Sequence, residues 1–127
     1  MSLSLEQFTD WLERYFRAWQ SNHADDVAAL FAEDAIYYYG PFKTPAVGRQ
    51  QIVANWMADP EQQTQVEYNF TPLAIIENLG FAHWHVLYRS GKKPSVATEM
   101  DGILVLTFDA QGRCTEHREW YSSREVG

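Results

Sequence analysis

His117 and Glu119 stand two apart in a stretch that reads as a strand, so both side chains point to one face. An imidazole with an unperturbed pKa of about 6.5 beside a carboxylate forms a proton-transfer pair. The competing reading is a solvated pair or a structural hydrogen bond. His83 and His85 flank Trp84 with the same alternation, and Glu99 or Asp101 could complete a two-histidine, one-carboxylate set suited to zinc or iron. His-x-His on a strand is more often interface polarity, so no metal or other cofactor is expected. Glu99 and Asp101, with Arg118 across the ladder, form a set able to hold a water or an ordinary surface ion pair. Tyr37, Tyr38 and Tyr39 carry phenols whose unperturbed pKa of about 10 makes them poor bases at neutral pH.

Helices and strands must position these groups. Ser4 and Gln7 have the spacing of a capping box, and Phe8, Trp11, Leu12, Tyr15, Phe16 and Trp19 follow at helical spacing. A short second helix begins at Asp25 or Asp26 and turns Val27, Leu30 and Phe31 inward. Ile36 to Tyr39 read as a strand ended by Gly40-Pro41. Gly48 precedes a third helix carrying Ile52, Val53, Trp56 and Met57, which ends before Pro60. Four strands follow, Thr64 to Ile76, Phe81 to Arg89, Val96 to Phe108 and Arg113 to Ser122, separated by turn residues. The order ααβαββββ, helices first and antiparallel strands afterwards, is an α+β pattern. Ile103 to Phe108 is apolar on both faces, which requires both faces to be covered. Helices cover one, and a second copy of the sheet covers the other, so a homodimer through the sheet is expected.

One domain over residues 1–127 fits the length, with Met1, Ser2 and Leu3 assigned no role. A net charge of −7 with scattered basic residues argues against nucleic acid and anionic lipid as partners. No apolar stretch approaches the roughly 20 residues that span a bilayer, and no basic segment precedes an apolar one at the start, so a cytoplasmic location is expected. Cys114 is the single cysteine and reads as a small strand residue. Aromatic residues make up 15% of the chain, more than core packing requires, so some should line a cavity. Tyr15, Trp19, Tyr37, Tyr39, Trp56 and Trp84 are the expected wall.

The run from Arg14-Tyr15 through Leu30-Phe31-Ala32-Glu33-Asp34-Ala35 to Gly48 and Ile52 resembles the nuclear transport factor 2-like superfamily. That superfamily includes SnoaL-like polyketide cyclases and ketosteroid isomerases. The resemblance implies a cone-shaped α+β barrel, with three N-terminal helices packed on a strongly curved, mainly antiparallel sheet. It matches Tyr15 to the oxyanion-holding tyrosine of the isomerases. Tyr39 stands where their base carboxylate would be, and Leu104 replaces their aspartic acid, so steroid isomerisation by that mechanism is excluded. The family comparison also turns the Leu104 face toward the cavity. An Asp109 to Gly112 hairpin would pair Leu104 with His117 and Gly102 with Glu119, bringing His117, Glu119 and Tyr121 to that face. Asp101, Arg118 and Trp120 would lie behind, and an odd-numbered loop or a bulge would reverse the assignment.

The expected function is binding of a small hydrophobic or aromatic ligand, with cofactor-free acid-base chemistry of isomerase, dehydratase or cyclase type. His117 is the expected proton shuttle, Glu119 its orienter or the base, and Tyr15 the oxyanion donor. Trp19, Tyr37, Tyr39, Trp56, Trp84, Leu104 and Tyr121 are the expected ligand contacts. The alternative is a non-catalytic ligand-binding or dimerisation module.

Overall fold

The computed structural model describes residues 2–58, 63–91 and 93–126. Helix α1 (Leu5–Ser21) opens on the capping box: the Gln7 amide donates to Ser4 Oγ at 3.0 Å and the Ser4 amide to Gln7 Oε1 at 2.9 Å. Its apolar stripe, Phe8, Trp11, Leu12, Tyr15, Phe16 and Trp19, is buried. The helix stops where Asn22 takes the left-handed conformation at φ 54° and its amide bonds the Ala18 carbonyl at 3.0 Å. The remaining elements are α2 (Ala24–Ala28), β1 (Phe31–Tyr38), β2 (Ala46–Val47), α3 (Arg49–Met57), β3 (Gln63–Ile76), β4 (Leu79–Ser90), β5 (Ala97–Phe108) and β6 (Cys114–Val126).

The six strands form one mixed, curved, unclosed sheet in the order β2-β1-β6-β5-β4-β3, with the three helices packed against it in a cone-shaped α+β fold. β1 runs parallel to β6, and the other neighbours are antiparallel. Among the described residues no helix is long and apolar enough to cross a membrane. Leu3 is buried, and its amide donates to the Glu77 carbonyl at 2.8 Å, so the start of the chain packs with the domain.

Three departures from the sequence pattern bear on the site. The first strand begins at Phe31, not Ile36, because the Leu30 carbonyl accepts from the Cys114 amide at 2.9 Å and from Trp11 Nε1 at 3.0 Å. Those bonds draw the chain into the sheet as soon as α2 ends, and an irregularity between Phe31 and Ile36 leaves Glu33 and Asp34 exposed. The two-residue β2 has no periodic signature, since two residues carry no period. It hands the chain to Gly48, which caps α3 at φ 91° and donates to the Ala35 carbonyl at 2.7 Å. The Pro60 expected to end α3 lies outside the described residues.

The third departure is the β5–β6 register. Leu104 faces Glu119, Leu106 faces His117, and Gly102 faces Tyr121. The expected pairing is therefore displaced by two residues. Phe108 pairs with Cys114, making the loop one residue longer than a four-residue turn, and the register shifts again before Thr107 pairs with Glu116. Each single-residue change alone would flip the face, and the two together restore it. The Asp109 carboxylate holds the longer loop by accepting the Gln111 and Arg113 amides at 2.9 and 3.0 Å.

At Gly102 the backbone of β6 leaves no room for a side chain on β5. A Cβ there would lie 2.2 Å from the Trp120 carbonyl oxygen and 2.7 Å from Tyr121 Cβ, with backbone that cannot give way cheaply. We expect Gly102→Ala to lower stability by about 1–3 kcal/mol through overpacking. Urea unfolding should show a lower midpoint at unchanged slope, and an unaltered midpoint would show that the strand contact is not rigid.

Candidate functional site

A cavity of about 500 Å³ opens beside the C-terminal turn of α1, with α3 and the inner faces of β1, β4, β5 and β6 around it. Of the residues singled out from sequence, Trp19, Tyr37, Tyr39, Trp56, Glu119 and Tyr121 line it. Tyr15, His117, Trp84 and Leu104 are not among its lining residues; they are fully packed one layer deeper. Seven further lining residues carry the rest of the wall: Asn22, Lys43, Asn55, Ala58, Gln63, Tyr88 and Met100. Tyr88 and Met100 share strand parity with Trp84 and Leu104, and that signal could have found them. Lys43 and Asn55 lie on a loop and on an exposed helix face, where no period marks them.

The wall is built from aromatic contacts. Tyr37 and Tyr39 lie with ring centroids 4.6 Å apart, and the Tyr39 hydroxyl accepts from Asn55 Nδ2 at 3.2 Å. Trp19 and Trp56 meet edge to face at 6.5 Å, and Trp19 approaches Tyr88 at 6.4 Å. Trp84 supports the floor from below, 6.0 Å from Tyr121 and 6.1 Å from Trp19.

Behind the wall the polar groups form a chain. Register pairs Tyr37 with His117 across the parallel β1–β6 ladder, and their rings stack at 3.7 Å and 11°. The Tyr15 hydroxyl reaches the Tyr37 hydroxyl at 2.8 Å and His117 Nε2 at 3.1 Å. His117 is 0% exposed, and its Nδ1 has no partner outside its own residue. Burial with no facing carboxylate lowers its pKa to about 3, so the imidazole is neutral at physiological pH. It makes no hydrogen bond to Glu119. Burial also raises both phenols, Tyr15 and Tyr37, well above the ordinary tyrosine value, and the nearby Glu119 charge adds to this.

Glu119 is where this chain meets the cavity. The residue is 6% exposed, and burial raises its pKa to about 7, against the opposing pull of a Tyr37 hydrogen bond and the Lys43 charge. The site therefore offers an acid that donates below neutrality and a base that accepts above it.

On the opposite face of the sheet the remaining candidates separate into pairs. His83 Nε2 meets Asp101 at 2.9 Å, and His85 Nε2 meets Glu99 at 2.7 Å. The His85 and Arg124 hydrogen bonds hold the Glu99 carboxyl below the usual range. Arg118 joins neither carboxylate. It pairs with Glu116 and lies over the Tyr38 ring at 4.1 Å, because the displaced register sets Arg124 and Ser122 opposite Glu99 and Asp101. Among the described residues no group of three or more such side chains converges to hold a metal ion. A family model described as a SnoaL-like domain matches residues 12–117. No curated protein matches the chain.

The two buried ionisable groups make opposite contributions to stability. The fold favours protonated Glu119, so its contribution is complete below about pH 4.5 and is lost as pH rises to about 7. Neutral His117 is favoured, so its contribution is complete above about pH 6.5 and is lost as pH falls to about 3. Glu119→Gln removes only the first. Its unfolding free energy should gain on the wild type by on the order of 3 kcal/mol between pH 4.5 and 7. In Tyr37→Phe, which lacks the hydrogen bond favouring the carboxylate, the Glu119 midpoint should rise above about 7. Carbon-detected NMR of the carboxyl measures it, and an unmoved midpoint would show that Tyr37 does not reach Glu119.

Proposed function

The chain belongs to the SnoaL-like family of the nuclear transport factor 2-like superfamily, and on that premise we propose a small-molecule enzyme using cofactor-free acid-base chemistry. The observation that carries this reading is Glu119, a carboxyl with a pKa of about 7 in the wall of an aromatic cavity. Such a group populates both protonation states near neutral pH, which suits one residue to removing and returning a proton. The Tyr37–Tyr39 and Trp19–Trp56 surfaces suit a flat cyclic or aromatic metabolite.

Glu119 is the acid-base residue in this mechanism. As a carboxylate it takes a proton from a carbon next to a carbonyl, and as the acid it returns that proton to another position. Tyr37 stabilises the carboxylate by donating to it. The Tyr37 oxygen can then accept from Tyr15, and the Tyr15 oxygen from His117 Nε2–H. With Glu119 protonated, its carbonyl oxygen still accepts from Tyr37, so the donors keep their direction and His117 keeps its proton on Nε2. His117 thus acts as a positioning residue, neutral throughout, which terminates the phenol chain and holds Tyr15 and Tyr37 in place. The non-catalytic binding module uses the same cavity and differs only in giving Glu119 no substrate proton to move.

The test is solvent deuterium exchange into 2-tetralone, a flat ketone with an acidic carbon, followed by proton NMR alongside tryptophan-fluorescence binding. Wild type should accelerate exchange over buffer, and Glu119→Gln should lose about 100-fold or more while still binding. Binding without accelerated exchange of this or related ketones supports the non-catalytic module. Absence of binding by any flat cyclic compound refutes both readings.

The uncovered face of the sheet carries Phe81 beside Val105 and Ile103 beside Trp120, and Trp120 is 45% exposed. We propose that a second copy covers this face, giving a homodimer. Sedimentation should find the wild type dimeric and Trp120→Glu monomeric. A monomeric wild type at high concentration refutes this.

A further inference from the structure

Lys43 lies on the loop between β1 and β2, outside every element that the aromatic pattern marks. Its amide donates to the Gly40 carbonyl at 3.3 Å, closing a turn that carries the side chain to the cavity. Nζ lies 3.4 Å from the Tyr121 hydroxyl and 5.7 Å from the centre of its ring, so the ammonium is held against the cavity wall. Among the described residues no carboxylate stands within ion-pair distance of it.

Among the lining residues Lys43 is the single cation and Glu119 the single carboxyl, and below its midpoint of about 7 Glu119 carries no charge to offset the ammonium. A chain with a net charge of −7 repels anions at long range, so a cation turned into its cavity must act locally. An ammonium offers three donors and a compact charge, which a ligand carboxylate matches.

We infer that Lys43 forms an anion subsite of this cavity and that the ligand is a planar molecule carrying a carboxylate. The inference rests on the cavity being a ligand site, as proposed above, and adds the charge of the ligand. It also has a consequence for the chemistry. A ligand anion near Glu119 disfavours the second negative charge, so binding raises the Glu119 midpoint and enlarges the share of the complex in the proton-donating form.

The experiment compares 2-naphthoate with 2-naphthamide, nearly the same shape with and without the charge, by quenching of tryptophan fluorescence. It is run at pH 6, below the Glu119 midpoint of about 7. Wild type should bind the carboxylate about tenfold tighter than the amide. Lys43→Met should abolish that preference without weakening amide binding, and Lys43→Arg should keep it. Added salt should weaken carboxylate binding only. Equal affinities in wild type, or a preference that survives in Lys43→Met, overturn the anion subsite and leave the aromatic cavity standing. Failure of both compounds to bind counts against the cavity as a ligand site and overturns the subsite with it.

Discussion

The parallel pairing of β1 with β6 is the constraint on which the rest of the structure depends. It sets Tyr37 beside His117, stacks their rings at 3.7 Å, and brings both within reach of the Tyr15 hydroxyl from α1. Three elements distant in sequence are thus tied by groups that are too polar to bury alone. An unpaired hydroxyl or imidazole in a dry core costs about 1–3 kcal/mol, so each of these side chains is held where its partner is. The indole of Trp11 reinforces the tie by donating to the Leu30 carbonyl, which the first residue of β6 also uses.

That deep layer determines what the cavity can do. Tyr15 and His117 satisfy one another behind the wall, which leaves Glu119 as the ionisable group poised between the polar chain and the open space. Its raised pKa follows from burial, and Tyr37 moderates it. A histidine and a carboxylate two apart on a strand look like a proton-relay pair in a linear reading. In three dimensions the imidazole bonds Tyr15, which bonds Tyr37, and no direct bond joins His117 to Glu119.

Much of the fold was legible in local chemistry. The Ser4–Gln7 box and the stripe from Phe8 to Trp19 each act over a few residues, and each appears where the pattern puts it. That His117, Glu119 and Tyr121 share one face was legible through alternation; that it is the inward face came from the family resemblance and the hairpin pairing, and it held because the longer Asp109 loop and the shift beside Thr107 offset each other. The start of β1 at Phe31 was not legible, because it depends on bonds from Trp11 and Cys114 to Leu30. In the site, Trp19, Tyr37, Tyr39 and Trp56 could be chosen by residue type. Lys43 could not, since a lysine on an exposed loop has no pattern to distinguish it.

The sequence by itself determined the order of elements, the buried face of α1 and the alternation of the late strands, because these follow from capping, helical period and strand parity. Only the tertiary structure decided which aromatic groups face the cavity and which lie behind it. Tyr15 and Trp84 share their residue types with Trp56 and Tyr39, yet depth separates them. Only the tertiary structure decided, too, that His117 stays neutral while Glu119 titrates near neutrality. Both outcomes come from desolvation, and the loss of water around a side chain is a property of everything packed upon it, drawn from the whole chain at once.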